Sequence, residues 1–313
     1  MSKRIGIVDL GTNTFHVLIA ETDRADHAFI YKEKIHVALG RGGISQGKIT
    51  AEAQQRAIDA MFYIRGILDR FEVRTTRCVA TSALRSAENA DEVVHKLTEI
   101  SGLEIEIISG NHEANYIFEG ISFGLDLDTD NSLVMDIGGG SVEFIIGSSL
   151  GIFWKHSFEI GAQRLIDEFQ KGDPITQSEI ISINAFLENE LISLKEALAE
   201  FKPKTLIGSS GTFDTLSAIY RKERDIHIIH KESEFPLTLD AIHSIHKEIV
   251  TKNRVERLNI PGMVEMRVDL IVVASLLIQC VLKMRQFEKV RVSSYSLKEG
   301  IFSEYLKTQK FLV

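Results

Sequence analysis

The sequence predicts an α/β protein built from two related domains, and two observations lead to this prediction. The segment 7–19 recurs as 134–146 at a constant offset of 127 residues, which is the distance from Asp9 to Asp136. Each copy reads as an apolar strand, a glycine-containing turn and a second apolar strand, a pattern typical of a β-hairpin. Along the rest of the chain, short apolar strands alternate with amphipathic helices, as in α/β proteins with mixed sheets.

Periodicity and turn residues place the remaining elements. A capping box at Thr176 predicts a helix that ends near Phe201. The other predicted helices span 50–71, 112–123, 238–253, 263–287 and 297–309, and the strands span 76–80, 105–108, 205–207 and 289–293. A segment rich in Asp and Gly at 124–131 is the predicted linker. The domains are therefore placed at 1–124 and 125–313, and the final helix is allowed to pack back on the first domain.

Composition limits the class of partner. The 313 residues are 44% hydrophobic and 26% charged with only 4 Pro, as expected for a compact globular protein. The net charge of −8 argues against a broad surface for DNA or RNA, because phosphate binding over a wide face needs a basic surface. Local phosphate binding through backbone amides and a few arginines remains compatible with this charge. Cys78 and Cys280 each lie in an apolar run and are expected to be buried free thiols.

Neither a signal peptide nor a membrane span is predicted. Asp9 and Asn13 interrupt the apolar start of the chain, and the most apolar stretch, 270–282, is shorter than the roughly 20 residues that a spanning helix needs. We therefore expect a cytoplasmic protein with no membrane partner.

Three turns rich in glycine and hydroxyl residues are candidates for phosphate binding, because their backbone N–H groups are able to close on phosphate oxygens. A carboxylate beside such a turn is a suitable ligand for Mg²⁺. One Asp-x-Gly turn alone is best explained as an ordinary hairpin, but two copies and a third turn favour phosphate. The candidate residues are Gly11, Thr12 and Asn13, then Gly138, Gly139, Gly140 and Ser141, then Gly208, Ser209, Gly211 and Thr212.

Four ordered motifs, beginning at Asp9, Ser109, Asp136 and Gly208, resemble the exopolyphosphatase and guanosine pentaphosphate phosphatase (Ppx/GppA) family. The resemblance runs from Ile5 to about Gly300. It implies two duplicated actin-like ATPase (ribonuclease H-like) domains with an interdomain cleft, and Mg²⁺-dependent hydrolysis of phosphoanhydride bonds. Because the chain ends soon after this core, it resembles the short members that lack an added C-terminal domain.

The resemblance places a catalytic glutamate at Glu113. This residue follows Ser109-Gly110-Asn111 in the first turn of a predicted helix, where the helix dipole favours an ionised carboxylate. An ionised carboxylate is what a base that polarises water requires. The alternative is an acidic residue that only complements the helix dipole.

The second hairpin is expected to supply the metal ligands. If the glycine turn brings its two strands together, Asp136 and Glu143 both face the cleft, where they hold Mg²⁺ or, for the catalytic Glu143, orient the attacking water. The resemblance makes Asp136, Gly138 and Glu143 functional positions. Asp9 is the repeat partner of Asp136 and either shares the metal or only braces its own turn. The alternative for Glu143 is a solvated strand residue.

Arg85 matches a family arginine that contacts the phosphate chain of the substrate. The alternative to this role is a structural salt bridge between Arg85 and Glu88. Arg267 and Asp269 echo a family pattern, but an ion pair that positions their helix explains them well. His16 is expected to be a packed, hydrogen-bonded histidine, because no second His or Cys stands at metal spacing.

The chain departs from the family pattern at two places. Arg41 lies in the Leu-Gly-x-Gly loop where the family usually has an acidic residue. Near the end, Ser294, Tyr295 and Lys298 replace a family Asp, Gly and Arg. These changes leave the catalytic set intact and alter how the distal part of the substrate is held.

The leading hypothesis is an exopolyphosphatase that releases terminal phosphate from inorganic polyphosphate. The alternatives are a guanosine pentaphosphate phosphohydrolase, a non-catalytic nucleotide-binding regulator, and a sugar or acetate kinase. Glu113 argues against a pure binder, and no acceptor-substrate signature supports a kinase. The expected partners are polyphosphate or guanosine pentaphosphate. The sequence is also compatible with a homodimer.

Overall fold

The computed structural model describes residues 3–23, 29–227 and 233–310, with the side chains of 309 and 310 left out. In chain order the elements begin with β1 (Arg4–Leu10), β2 (Thr14–Glu21), β3 (Phe29–His36), α1 (Ala51–Arg70), β4 (Thr75–Ala80), α2 (Ser82–Ser86), α3 (Ala90–Ser101), β5 (Ile105–Ile107) and α4 (Gly110–Gly124). The chain continues through β6 (Ser132–Ile137), β7 (Val142–Ser148), β8 (Gly151–Phe158), α5 (Ala162–Phe169), α6 (Gln177–Glu190), α7 (Ile192–Phe201), β9 (Thr205–Ser209) and α8 (Ser210–Glu223). It ends with β10 (Glu234–Phe235), α9 (Leu239–Thr251), α10 (Arg254–Leu258), α11 (Leu270–Met284), β11 (Lys289–Ser293) and α12 (Leu297–Lys310).

The chain divides into two compact units. The first consists of Met1–Gly120 together with Leu297–Val313, and the second of Ile121–Ser296. The border between them falls inside α4, four residues before the border placed from the sequence at 124, and α12 belongs to the first unit.

The first unit contains a five-stranded sheet in the order β3-β2-β1-β4-β5. The pairs β1–β2 and β2–β3 are antiparallel, whereas β1, β4 and β5 run parallel. One face of the sheet, including Val8, Leu10 and Phe15, packs in a hydrophobic core with the apolar residues of α1 and α3. The opposite face of β1 carries Ile7 and Asp9, and α12 packs against this strand.

The second unit repeats this arrangement. Its sheet has the order β10-β11-β9-β6-β7-β8, in which β6, β7 and β8 are antiparallel and β6, β9 and β11 are parallel. The same bond closes both hairpin turns, from Gly11 N–H to Thr14 O (3.2 Å) and from Gly138 N–H to Ser141 O (3.0 Å). The prediction of two related α/β domains is therefore confirmed.

The longest apolar helix, α11, is buried in the core of the second unit against α5, α6 and α9. None of the described helices combines the length and the apolar character needed to cross a membrane. Cys78 and Cys280 are buried free thiols, as predicted.

Two helix predictions are wrong in their bounds. The capping box at Thr176 is present, but the helix that it opens is interrupted at Leu191 (φ −93°, ψ 21°), which separates α6 from α7. The helix predicted over 263–287 begins only at Leu270, after a 3-10 turn over Glu265–Arg267. In that turn Arg267 N–H donates to Val264 O (2.8 Å), so the chain follows the tighter 3-10 hydrogen-bond pattern.

Candidate active site

The parallel strands β1, β4 and β5 end at the same edge of the first sheet. Backbone hydrogen bonds join the segments that follow them, from Thr81 N–H to Leu10 O (3.3 Å) and from Ile108 N–H to Ala80 O (3.0 Å). Ligands of open α/β sheets bind beyond the carboxyl ends of the strands. The predicted site residues that follow these strand ends are Gly11, Thr12, Asn13, Arg85 and Glu113.

Arg85 and Glu113 form an ion pair at this edge. Nη1 of Arg85 lies 2.8 Å from Oε2 of Glu113 and 3.3 Å from the carbonyl oxygen of Ile108. The side chains are only 18% and 10% exposed, so water screens the pair little. The sequence analysis left open a salt bridge from Arg85 to Glu88. In the structure the carboxylate that pairs with Arg85 is instead that of Glu113, the predicted catalytic residue.

The turn of the first hairpin is held through its carbonyl groups. Asn13 O accepts from Val37 N–H (3.0 Å) and Ala38 N–H (2.8 Å), and Thr12 O accepts from Gly40 N–H (2.9 Å). The side-chain amide of Asn13 is buried, and its Nδ2 has no hydrogen-bond partner among the residues that the structure describes. A buried donor without a partner costs about 1–3 kcal/mol. The position therefore suits an acceptor from a ligand, such as a phosphate oxygen.

Asp9 and His16 are directly opposite each other in the β1–β2 register. His16 Nε2 lies 2.8 Å from Thr14 Oγ1, which confirms the expected hydrogen-bonded histidine. In the repeat, the same register position joins Asp136 to Glu143. The two hairpins therefore share a backbone but carry different pairs: a carboxylate with a histidine in the first unit, and two carboxylates in the second.

Asp136 is buried, and one of its oxygens binds three hydroxyl groups. Oδ2 accepts from Ser209 Oγ (2.6 Å), Ser210 Oγ (2.7 Å) and Ser296 Oγ (2.6 Å). Ser210 has φ +67°, in the left-handed region that is unusual for residues other than glycine. Neither Ser210 nor Ser296 was predicted as a site residue. A pair of serines at a strand end was the available signal for Ser210, whereas Ser296 had none.

Glu143 is buried beside Asp136 on the neighbouring strand. Only 1% of the residue is exposed, and its Oε1 accepts a hydrogen bond from Ser157 Oγ (2.7 Å). The alternative interpretation of Glu143 as a solvated strand residue is therefore wrong, because every position of β7 is buried.

The three-glycine turn of the second hairpin is fixed by the start of α5. Gly161 N–H donates to Gly140 O (3.1 Å), and the next two amides of α5 donate to the carbonyl oxygens of Gly138 and Gly139. A Cβ atom at Gly161 would lie 2.4 Å from the backbone of Gly139, so only glycine allows this approach. Ser141, the last predicted residue of this turn, is buried.

The third predicted turn is shorter than expected. Gly208 and Ser209 lie within β9, and α8 begins directly at Ser210, so Gly211 and Thr212 lie in its first turn. The ring of Phe213 covers Gly208 so closely that a Cβ there would lie 2.1 Å from it. The strand therefore passes into the helix without a loop.

Arg267 packs directly on Gly211. A Cβ at Gly211 would lie 2.2 Å from Nη2 of Arg267, which is 8% exposed. Burial lowers the pKa of the Arg267 guanidinium, and the nearby carboxylates of Asp214 and Asp136 oppose this shift. The sequence singled Arg267 out through the family pattern but gave it a structural role only.

The predicted ion pair of Arg267 with Asp269 is wrong. Asp269 pairs with Arg254 (Oδ1 to Nε, 3.2 Å), because the 3-10 turn directs Arg267 toward α8 instead. The buried side chain of Arg257 holds the same segment, with Nε donating to Val268 O (3.0 Å) and Nη1 paired with Asp173 (2.8 Å).

The donor set of the second unit is compatible with Mg²⁺. Within the described part of the chain, no group of three or more His, Cys, Asp or Glu side chains is arranged to hold a metal ion. Mg²⁺, however, usually keeps several waters and binds through one or two carboxylates. The adjacent carboxylates of Asp136 and Glu143 fit this mode of binding.

Comparison with known proteins identifies the fold and the family. The crystal structure of an exopolyphosphatase from Cytophaga hutchinsonii matches with a TM-score of 0.95 and 41% identity, covering 98% of each chain. This similarity and the repeated sheets define a protein of the actin-like ATPase fold. The Ppx/GppA phosphatase family model matches residues 18–309. The chain belongs to the Ppx/GppA phosphatase family.

Two curated relatives show how the family varies. A guanosine-5'-triphosphate,3'-diphosphate pyrophosphatase of Photobacterium profundum is 26% identical over 99% of this chain. A bifunctional 3-dehydroquinate synthase/phosphatase of Fusobacterium nucleatum is 30% identical over 88% of it. The chain spans 61% of the length of the first relative and 42% of the second.

Packing of Arg267 on Gly211 leads to a stability prediction. Gly211→Ala should lower the free energy of unfolding by about 1–3 kcal/mol, because the added methyl group overpacks a buried contact. Gly66→Ala is the matched control. Nothing lies within 4 Å of a Cβ at this exposed position in α1, so the change should stabilise the protein by about 0.4–1 kcal/mol. Urea denaturation measures both. Equal effects of the two variants would show that Arg267 does not occupy this space.

Proposed function

We propose that the protein is a Mg²⁺-dependent phosphoanhydride hydrolase that releases terminal phosphate from inorganic polyphosphate. The observation that carries the proposal is the 2.8 Å pair of Arg85 with Glu113 at the carboxyl edge of the first sheet. The buried amide of Asn13, beyond the end of β1, adds a donor suited to phosphate. The 41% identity to an exopolyphosphatase of Cytophaga hutchinsonii supports polyphosphate as the substrate.

Glu113 acts as the general base in this proposal. It takes a proton from a water molecule, the water oxygen bonds to the terminal phosphorus, and the bond from that phosphorus to the bridging oxygen breaks. The products are inorganic phosphate and a chain that is one phosphate shorter. Arg85 holds the carboxylate through Nη1 and contacts phosphate through other N–H groups of its five-donor guanidinium.

The second unit supplies the metal and further phosphate contacts. Asp136 and Glu143 would hold Mg²⁺, largely through water, and the bound ion supplies positive charge that offsets the charge on the phosphate oxygens. The serine hydroxyls on Asp136 Oδ2 keep that carboxylate in one orientation. Backbone amides at 139–141 and at 211–212 bind phosphate oxygens, whereas the amide of Gly138 is used in the turn hydrogen bond.

Guanosine pentaphosphate is the second candidate substrate, supported by the similarity to the Photobacterium profundum pyrophosphatase. Both substrates present a terminal phosphate, so the same residues serve either one. The deciding experiment compares phosphate release from long-chain polyphosphate and from guanosine pentaphosphate, with and without Mg²⁺. A higher kcat/KM for polyphosphate supports the proposal, and a higher value for the nucleotide reverses it. If phosphate is released from neither substrate, both enzyme hypotheses fail and a non-catalytic nucleotide-binding regulator is the hypothesis that stands.

The role of Glu113 is tested by Glu113→Gln. The amide keeps the shape but loses the basic oxygen, so phosphate release should fall about 10²–10⁴-fold with the melting temperature little changed. The same substitution at the exposed Glu104 is the control and should retain full turnover. A Glu113→Gln enzyme that keeps more than about a tenth of the activity would assign the base to another residue.

The metal role of Asp136 is tested by Asp136→Asn. A neutral amide oxygen attracts Mg²⁺ less than a carboxylate does, so the Mg²⁺ concentration that gives half-maximal turnover should rise. The rise in melting temperature on adding Mg²⁺ should shrink as well. Asp126→Asn, at an exposed position, is the control. If the activation curve of the Asp136 variant stays unchanged, the ion is held elsewhere, with Glu143 and Asp9 the next to test.

Arg85→Gln should raise the KM for polyphosphate, and more strongly at low salt, where screening is weakest. Arg224→Gln is the control, because it removes the same charge from an exposed position after α8 and should change KM little. Steady-state kinetics across a salt series measures both. A KM for the Arg85 variant that does not respond to salt would leave Arg85 with only the structural role of holding Glu113.

A further inference from the structure

A row of basic side chains lies on the outer strand of the first sheet. β3 is the edge strand of that sheet, and successive side chains of a strand point to opposite faces. Lys32, Lys34 and His36 therefore share one face, and all three are exposed. Two lysines and a histidine thus stand at alternate positions on one face of the strand, on a protein whose net charge is −8 with neutral histidines.

The strand register connects this row to the candidate site. His36 is paired with Thr14, and Lys34 with His16. His16 is in turn paired with Asp9 on β1, so one line of side chains crosses the sheet from β3 to the first hairpin. The row therefore begins beside the turn that contains the buried amide of Asn13.

The loop after β3 is fixed against the same turn. Val37 and Ala38 donate their backbone N–H groups to Asn13 O, and Arg56 donates to the carbonyl oxygens of Val37 (2.6 Å) and Ala38 (2.8 Å). Arg41 lies in this loop and is exposed. The loop therefore adds the positive charge of Arg41 close to the predicted phosphate-binding turn, at the position where an acidic residue is usual in the family.

The far end of the row has a fixed geometry. Lys32 Nζ lies 3.0 Å from Oε1 of Glu299, and Lys298 Nζ lies 3.3 Å from Oε2 of the same carboxylate. The side chain of Glu299 is completely buried, so two ammonium groups share one carboxylate. This arrangement holds Lys32 in place at this end of the row.

We propose that Lys32, Lys34, His36 and Arg41, the β3 strip, bind the part of a polyphosphate chain that lies beyond the hydrolysed end. This inference rests on the proposed function. With a rise of about 3.3 Å per residue, the strip covers roughly 13 Å along β3 alone. A linear polyanion with a charge on every phosphate contacts several of these groups at once. A short chain reaches fewer of them, so the strip makes the enzyme prefer long chains.

The test compares Lys34→Gln/Arg41→Gln with the unchanged protein. The KM for long-chain polyphosphate should rise about fivefold or more, the scale of two exposed charge contacts. The KM for tripolyphosphate should rise much less. The salt dependence of the long-chain KM should also weaken, because fewer phosphate charges are neutralised. Equal increases for both chain lengths would place these residues at the hydrolysed end and overturn the proposal.

Arg70→Gln/Arg74→Gln is the matched control. It removes the same two charges from exposed positions in the first unit, but at the end of α1 and just before β4, at the amino ends of the parallel strands. This variant should leave the ratio of long-chain to short-chain KM unchanged. A similar change in both double variants would attribute the effect to total charge and overturn the strip.

A binding measurement separates failure of the strip from failure of the proposed function. Equilibrium binding of long-chain polyphosphate is measured by titration with Glu113→Gln, alone and combined with Lys34→Gln/Arg41→Gln. Weaker binding of the combined variant supports the strip even if no substrate is hydrolysed. Unchanged binding overturns it even if the enzyme is active. Tighter binding of an RNA oligonucleotide of equal charge than of polyphosphate would also contradict it.

Discussion

The site in the second unit depends on one buried carboxylate oxygen. Oδ2 of Asp136 accepts hydroxyl groups from the last residue of β9, the first residue of α8 and the segment between β11 and α12. A buried charge is tolerated only where hydrogen bonds replace the lost water. The three segments and the carboxylate therefore fix one another, and the left-handed conformation of Ser210 is held by the bond that its hydroxyl makes. Glu143 and Arg267 are positioned around this centre.

The duplication repeats the scaffold but not the chemistry. Both hairpins have the same turn hydrogen bond and the same strand order, yet the residue opposite the hairpin aspartate is His16 in the first unit and Glu143 in the second. The predicted catalytic carboxylate of the first unit is instead that of Glu113 at the start of α4, which pairs with Arg85 after β4. Each unit thus carries a different pair: a carboxylate with an arginine in the first, and two adjacent carboxylates in the second.

The fold was predictable because its signals are local. The strand periodicity, the capping box at Thr176 and the hairpin pattern in each copy of the repeat depend on neighbouring residues, and the structure contains them all. The missed contacts depend on distant ones: Ser296 is 160 residues from the carboxylate that it binds. The alternative of a salt bridge from Arg85 to Glu88 rested on their proximity in sequence, whereas in the tertiary fold the carboxylate that pairs with Arg85 is that of Glu113. Likewise, no periodicity shows that a 3-10 turn precedes α11 and directs Arg267 onto α8.

The arginines of the candidate site lie next to carboxylates, so binding of a polyanion needs further positive groups. Arg85 lies against the carboxylate of Glu113, and Arg267 lies buried near those of Asp136 and Asp214. Carboxylates of the same region therefore offset much of the charge of both arginines. On a protein of net charge −8, these two arginines alone therefore provide only part of the attraction that a polyanion needs. A bound cation and further basic residues add to the attraction that these two arginines provide. These are the roles that we propose for Mg²⁺ at Asp136 and Glu143 and for the β3 strip.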